Sequence, residues 1–312
     1  MRIIQGIICL IVVFSCTTDY DLSIPYKGNQ IVLNGILNPD SILKIKLSFS
    51  QDLTDTTAPE NIENASVQVL ENGSTWIELH HNIDGEYISD ARVKRGNSYR
   101  ILVNVDGYVP VEAEDWVPLA PVISACYRRE NNSDSYDARV DLDVFNDQVV
   151  ENRYWFDVSV RDYKKENSAE VELTKLYYLT CADLFLDNFN SSYDNTLHNF
   201  YYTLFMRQSD ESKNKKSFPL TISGADGNPF FRYETLQALD ENQALYVSAY
   251  NCSAAYDRYL KSTLIEFLNN ELYDMSSPIN GPVKIYSNVK NGLGIFAAYS
   301  VKTIEVNKNP CN

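Results

Sequence analysis

The chain has 312 residues, of which 44% are hydrophobic, so it is long enough and apolar enough to build about two packed domains. Its net charge of −15 at pH 7 argues against a nucleic-acid-binding protein, because such proteins use Lys and Arg to neutralise phosphates. The 22 Tyr residues favour β-structure, where large side chains pack on half-buried sheet faces.

The N-terminus has the pattern of a secretory signal. The apolar run from Ile3 to Phe14 is too short for a membrane-spanning helix, which needs about 20 apolar residues. Ser15 and Cys16 close this run and resemble the lipobox of bacterial lipoproteins, in which the signal is cut before the Cys and its thiol carries diacylglycerol. We therefore predict a signal peptide over residues 1–15 and a lipidated tether over residues 16–29. An ordinary signal peptide with an incidental Cys is the alternative.

Two short features near the anchor resemble signals of Bacteroidetes lipoproteins. Asp19 and Asp21 follow Cys16 closely, as acidic residues do in surface-export signals, and a simple solvated tether is the alternative. The triplets that contain Ser41 and Thr56 resemble the Asp-Ser/Thr-X signal for O-glycosylation. We therefore predict an outer-membrane, surface-exposed protein with candidate glycosylation at these two residues.

Alternating apolar residues predict strands in the first part of the chain. Ile45 and Leu47 alternate with polar neighbours, as in a strand that buries one face. The dipeptide Asn72-Gly73 separates two further runs and is a strong hairpin signal, because both turn positions require positive φ. Short strands separated by turns at this spacing predict a β-sandwich over residues 30–117.

A Pro-rich segment, residues 116–121, marks the boundary between two domains, because Pro lacks an amide donor and interrupts sheets. Alternation returns after it, in runs that begin at Val140, Tyr154 and Leu245. We therefore predict a β-rich C-terminal domain over residues 122–312.

One amphipathic helix is predicted within the C-terminal domain. Apolar residues from Tyr256 to Leu268 recur at steps of three and four, which places the helix near residues 254–272 with Ser253 as its N-cap. We interpret it as a cover for one sheet or one end of the second sandwich, with a partner-binding helix as the alternative. The expected fold is mainly β, with two immunoglobulin- or fibronectin-like β-sandwich domains and an insertion and this helix in the second.

The insertion begins at Tyr177 and mixes aromatic residues with Asn and Asp. Long insertions often carry function, and aromatic rings supply large contact areas with polar tips. The alternative is that these rings fill the second core. The candidate ligand-binding residues are Tyr177, Tyr178, Phe189, Tyr193, Tyr201 and Tyr202.

Four cysteines remain once the leader and Cys16 are set aside. An even number in an exported chain permits two disulfides with three connectivities, and free buried thiols are the alternative. None of the four forms a C-x-x-C pair and the chain has 3 His, so no metal site is predicted. The candidate disulfide residues are Cys126, Cys181, Cys252 and Cys311.

The sequence contains no catalytic motif that we recognise. It lacks the G-x-S-x-G elbow, the H-E-x-x-H helix and the glycine loop that cradles phosphates. We therefore predict that the protein is not an enzyme and uses no cofactor.

The most specific motif lies near the C-terminus. The pair Ser287-Asn288 and the run from Asn291 to Phe296 resemble the closing signature of the family called domain of unknown function 4249. This part of the sequence also predicts a strand before the Asn291-Gly292 turn and a final strand after it. Gly294 lies in the final strand, which indicates a bulge or a close backbone approach.

The family resemblance implies a function that the residues alone do not. Members are typically outer-membrane lipoproteins associated with TonB-dependent receptors. We therefore expect a lipid-anchored binding or accessory component of a nutrient-uptake system, with such a receptor as its partner. The alternative is a structural or adhesive surface lipoprotein without a small-molecule ligand.

Overall fold

The computed structural model describes residue 26 and residues 28–52, 55–128, 138–145, 152–166, 169–176, 178–180, 186–187, 206–208, 216–223, 243–271 and 284–310. Strands dominate these residues, so the prediction of a mainly β protein is confirmed. The immunoglobulin- or fibronectin-like topology stays a prediction. Within the described ranges, no helix is both long and apolar enough to span a bilayer.

Seven strands build the N-terminal part of the fold. They are β1 (Ile31–Leu37), β2 (Leu43–Phe49), β3 (Ala65–Glu71), β4 (Thr75–His81), β5 (Glu86–Ser89), β6 (Ser98–Val105) and β7 (Val111–Trp116). Their order in the sheet is β1-β2-β5-β4-β3-β6-β7, with every neighbouring pair antiparallel. The predicted hairpin is confirmed at the β3–β4 turn, where Asn72 and Gly73 both have positive φ.

The remaining elements build the second part. The strands are β8 (Val122–Arg128), β9 (Ala138–Phe145), β10 (Tyr154–Glu166), β11 (Ala169–Leu176), β12 (Tyr178–Thr180), β13 (Leu186–Asp187), β14 (Met206–Gln208), β15 (Ser217–Ser223), β16 (Gln243–Cys252), β17 (Leu293–Glu305) and β18 (Asn307–Pro310). The helix, named α1 here, spans Ala254–Glu271, which confirms the prediction near 254–272.

Two sheets enclose the second core. One sheet has the order β12-β15-β9-β8-β18, and the other contains β10, β14, β16 and β17. Alternating residues from both sheets meet between them, including Leu142, Phe156, Phe218 and Val247, which are all fully buried. This face-to-face packing follows from strands that each carry apolar residues at every second position.

Strand β17 belongs to both parts of the molecule. Its first half pairs in parallel with β1, and its second half pairs antiparallel with β16. Phe296 and Ala298 project into the core of the first part, although the sequence prediction placed all of residues 122–312 in the C-terminal domain. The two parts therefore share one continuous strand.

The Gly294 prediction is confirmed as a close backbone approach. Gly294 lies opposite Leu33 with φ +102°, and an added Cβ would meet the Leu33 carbonyl oxygen at 2.1 Å. Only glycine fits this combination of left-handed φ and contact. The glycine therefore allows β17 to pair with β1.

Helix α1 covers the outer face of the β1–β17 pair. Ser253 caps the helix as predicted, because its Oγ accepts a hydrogen bond from the Tyr256 amide at 3.1 Å. The apolar cluster beneath the helix contains Ala255, Ile295 and Ala297, with Ile36, Tyr256, Tyr259 and Tyr286 packed against it. The prediction that this helix covers a sheet is confirmed.

One predicted strand does not form. The sequence indicated a strand before the Asn291-Gly292 turn, but residues 284–289 are irregular. The side chain of Asn288 makes the hydrogen bonds to β17 that the backbone of a neighbouring strand would make. Its Nδ2 donates to the Phe296 carbonyl at 2.7 Å, and its Oδ1 accepts from the Phe296 amide at 3.0 Å. This side chain holds the segment against β17 without a regular ladder.

Candidate functional site

An open groove lies on the outer face of the first sheet. Alternation on β1 and β2 turns Leu33 and Ile45 into the core and therefore places Asn34 and Lys46 on the opposite face. The groove has a volume of about 340 Å³, at the lower end for a small-molecule site. Its lining residues are Asn34, Ile36, Ser41, Ile42, Lys44, Lys46 and Glu86.

The charges in the groove are unequally matched. Lys46 lies between Asn34 and Glu86 in the strand register, yet Glu86 binds the other lysine, with 2.7 Å between Lys44 Nζ and Glu86 Oε1. Lys46 is exposed and makes no ion pair within the described part of the chain. The groove therefore combines a neutralised cation, a second cation that has no ion pair among the residues described, and an amide that can donate and accept hydrogen bonds.

The wall of the groove is the turn between β1 and β2. The Ser41 amide and hydroxyl both donate to the Asn38 carbonyl, at 3.1 and 3.2 Å, and Asp40 donates its amide to Asn38 Oδ1. Ile42 adds an apolar surface that is 43% exposed. A ligand would therefore meet a rigid turn with an exposed apolar edge.

Both predicted glycosylation residues lie at the surface. Ser41 is exposed on the groove wall, and Thr56 is exposed in the segment between β2 and β3. Their accessibility is compatible with modification, which stays a prediction.

A second polar cluster is buried where α1 meets β10 and β14. Asp257 accepts two hydrogen bonds from Arg207, from Nε at 2.7 Å and from Nη2 at 2.8 Å, and a third from Trp155 Nε1 at 2.8 Å. The side chains of Asp257 and Arg207 are each 5% exposed. The register explains the meeting, because Trp155 is paired with Arg207 and both face α1.

This buried cluster is built to hold the fold together. Asp257 also lies in the first turn of α1, where the helix dipole favours a negative charge, and Arg153 Nε lies 4.0 Å from its Oδ2. A carboxylate that is neutralised and hydrogen-bonded in this way has little capacity left to bind a ligand. We therefore place the candidate binding site in the groove and not in this cluster.

Asp115 extends the buried cluster toward the first part of the molecule. Burial raises the pKa of its carboxyl to about 6, although Ser253 and the amides of Trp116 and Ala298 act in the opposite direction. Its Oδ2 is buried and accepts no hydrogen bond in the described residues. The end of β7 therefore contacts the start of α1 through a carboxyl that is costly to ionise.

The structure corrects one cysteine prediction. Cys252 is a free thiol that is 2% exposed, so the disulfide alternative is wrong for this residue and the buried-thiol alternative is right. It is the last residue of β16, just before the start of α1, and burial raises the pKa of its thiol well above the ordinary value. A protonated, inaccessible thiol is a poor nucleophile.

The other predicted cysteines are only partly described. Cys126 on β8 is disulfide-bonded. Cys181 and Cys311 lie outside them as well.

Most of the other predicted site residues also lie outside the described ranges. These are the lipidation residue Cys16 and the aromatic residues Tyr177, Phe189, Tyr193, Tyr201 and Tyr202. Tyr178 begins β12, and the position of its side chain is not described. Within the described ranges, no three His, Cys, Asp or Glu side chains are arranged to hold a metal ion.

The sequence interpretation missed the groove. The alternation on β2 places Lys44 and Lys46 on the solvent face of the strand, which is their correct local role. The strand register that places Asn34 and Glu86 beside Lys46 depends on which strands pair, and alternation does not report pairing.

The comparisons with known proteins give a family without an assigned activity. No curated protein matches the chain. The model of the family described as domain of unknown function (DUF4249) matches residues 17–305 and so includes both cores, the groove and the Asn288–Phe296 segment. The chain therefore belongs to the DUF4249 family.

Proposed function

We propose that this protein is a lipid-anchored surface protein that binds an anionic ligand and serves as an accessory component of a nutrient-uptake system. The observation that carries the binding role is the groove, where the Lys46 ammonium makes no ion pair with any described residue although the whole chain has a net charge of −15. A cation that stays unpaired in such an acidic protein favours a negatively charged ligand.

The anchor part of this proposal rests on the leader. An apolar run that ends in Ser15-Cys16 fits export followed by lipidation, and acyl chains add about 0.8 kcal/mol for each buried methylene. Replacing Cys16 with Ser should move the protein from the membrane fraction to the soluble fraction. Unchanged membrane association of this variant would contradict the anchor.

The groove is tested with the full lipidated chain in detergent on an array of acidic, neutral and basic oligosaccharides and peptides. Lys46→Gln should weaken binding of acidic probes about tenfold, as expected for loss of one charge-assisted hydrogen bond. The control Lys302→Gln removes an exposed lysine outside the groove and should leave binding unchanged. Equal losses in both variants would contradict a site centred on Lys46.

A TonB-dependent receptor is the proposed partner, through the family resemblance. The test is affinity capture of the intact lipoprotein from solubilised membranes, followed by mass spectrometry. Reproducible recovery of such a receptor supports the uptake role, and its absence from capture with the lipidated protein contradicts that role.

A structural or adhesive surface protein is the second candidate. It is favoured by the continuous sheet that runs through β17 from one core to the other, because such a connection suits a stiff spacer. Capture of matrix or pilus components in place of a receptor, together with no probe binding in the groove, would favour this alternative.

A further inference from the structure

The chain enters the first part of the molecule at the end where β1 begins and β2 ends. The Ser50 amide donates a hydrogen bond to the Gln30 carbonyl at 2.8 Å, and the Ser50 Oγ accepts one from the Gln30 amide at 3.0 Å. Tyr26 donates its hydroxyl to the Ser50 carbonyl at 3.0 Å. Tyr26 and Gln30 are therefore fixed beside the end of β2.

Residues from the end of β2, the turn between β6 and β7 and the start of β17 also lie at this end. The Phe49 and Tyr108 rings lie 5.0 Å apart, and the side chain of Asn291 donates to the Pro110 carbonyl at 3.0 Å. Leu293 pairs with the second residue of β1. We call the set Tyr26, Tyr108, Val109 and Leu293 the anchor-proximal end.

The anchor-proximal end is exposed. Val109 is 65% exposed, and the other three side chains are between 39% and 42% exposed. Tyr combines an apolar ring with a polar tip, so it is suited to the boundary between lipid headgroups and water. Val and Leu beside it add apolar surface that a bilayer interface would cover.

The tether limits how far this end can move from the lipid. Residues 17–25 separate Cys16 from Tyr26, and ten extended residue steps span at most about 36 Å. A short tether keeps a weakly binding surface at high effective concentration beside the bilayer, so weak contacts suffice.

We propose that the anchor-proximal end lies against the headgroup region of the bilayer that holds the lipid on Cys16. This inference rests on the lipid anchor of the proposed function. It also orients the groove, because Ser41 and Ile42 lie at the opposite end of β2, more than 20 Å along the strand from this contact at about 3.3 Å per residue.

The local charge predicts which bilayer is preferred. Asp106 lies in the same turn as Tyr108, and Asp52 follows Ser50. These carboxylates would be repelled by an anionic surface and tolerated by a zwitterionic one. Contact should therefore be stronger with phosphatidylcholine vesicles than with phosphatidylglycerol vesicles.

The test is hydrogen exchange of the intact lipidated protein on phosphatidylcholine vesicles, compared with the soluble Cys16→Ser protein. Amides in residues 105–111 should exchange at least about threefold more slowly on vesicles, whereas residues 38–42 should be unchanged. Val109→Asp should abolish the slowing in residues 105–111, and the control Val122→Asp, at another exposed apolar residue, should retain it.

The two proposals fail in different ways. A protein that does not float with vesicles, or whose mass shows no lipid on Cys16, would refute the anchor. A lipidated protein that floats normally but exchanges at the same rate in residues 105–111 would refute the bilayer contact alone. Slowing that is equal on phosphatidylglycerol vesicles would refute the role given to Asp52 and Asp106.

Discussion

The strands of both parts of the molecule alternate between side chains that face a core and side chains that face away from it. The two parts differ in whether the side chains that face away from the core are exposed or buried. On β1 and β2, the polar side chains that face away from the core reach solvent and form the groove. On β10, the residues that face away from the second core include Trp155 and Asp157, which are both buried. The comparison shows that an alternating pattern places a side chain on a face, but what covers that face decides its energetics.

The same contrast applies to ion pairs. Glu112 on β7 binds Arg100 and Lys290 at the surface, where solvent screens the charges. Asp257 binds Arg207 where both side chains are almost completely buried. Removing one partner should therefore matter far more in the buried cluster than at the surface.

The largest effect is expected from breaking the buried pair. Asp257→Ala should destabilise the protein by about 3–5 kcal/mol, because it removes the buried carboxylate that accepts two hydrogen bonds from the Arg207 guanidinium. Urea unfolding followed by circular dichroism measures the loss. The surface control Glu112→Ala should unfold within error of the unmodified protein. Similar losses in both variants would remove the distinction between the two regions.

The next effect concerns the strand that both parts share. Gly294→Ala should cost about 2–5 kcal/mol, since the new Cβ meets the Leu33 carbonyl and φ stays left-handed. Gly107→Ala is the matched control, because Gly107 has φ +83° with no atom within 4 Å of an added Cβ. If both variants lost the same stability, the close approach of β1 and β17 would contribute nothing.

A smaller effect is expected from Asn288→Ala. The substitution leaves the amide and carbonyl of Phe296 without their side-chain partner, which should cost about 1–3 kcal/mol. Thermal unfolding measures the loss, and Lys284→Ala, at an exposed position in the same irregular segment, serves as the control. An unchanged melting temperature for Asn288→Ala would show that the segment is held by other contacts.

The last effect is a pH dependence at the junction. Because the pKa of Asp115 is raised to about 6 in the folded protein, the folded state holds its proton more tightly than the unfolded state. Stability from this group is therefore complete below pH 3.8, the ordinary pKa, and is lost as the pH rises through about 6.

Urea midpoints measured from pH 4 to pH 8 test this sign. The midpoint of the unmodified protein should fall relative to that of Asp115→Asn as the pH rises, whereas the exposed control Asp106→Asn should follow the unmodified protein. A midpoint difference that is constant with pH would contradict a raised pKa at Asp115.

Local patterns were sufficient to predict much of the fold. The alternation around Ile45, the Asn72-Gly73 turn and the periodicity after Ser253 each depend on residues close together in sequence. These signals report the geometry of one element, which is why the strands, the hairpin and the capped helix were predictable.

Long-range pairing was not predictable in the same way. β1 pairs with β17, which lies near the other end of the sequence, and Arg207 binds Asp257 although the two residues are 50 positions apart in sequence. The role of Asn288 was also hidden, because a side chain that replaces a strand partner leaves no periodic signal. The groove depends on such pairing and therefore emerged only from the structure.

The central claim is that the protein is held on a membrane through Cys16, and the mass of its N-terminal peptide tests that claim most directly. For protein extracted from membranes, we expect a mature chain that starts at Cys16 and carries acyl chains on that residue. A peptide with an unmodified Cys16, or one that still contains residues 1–15, would contradict it.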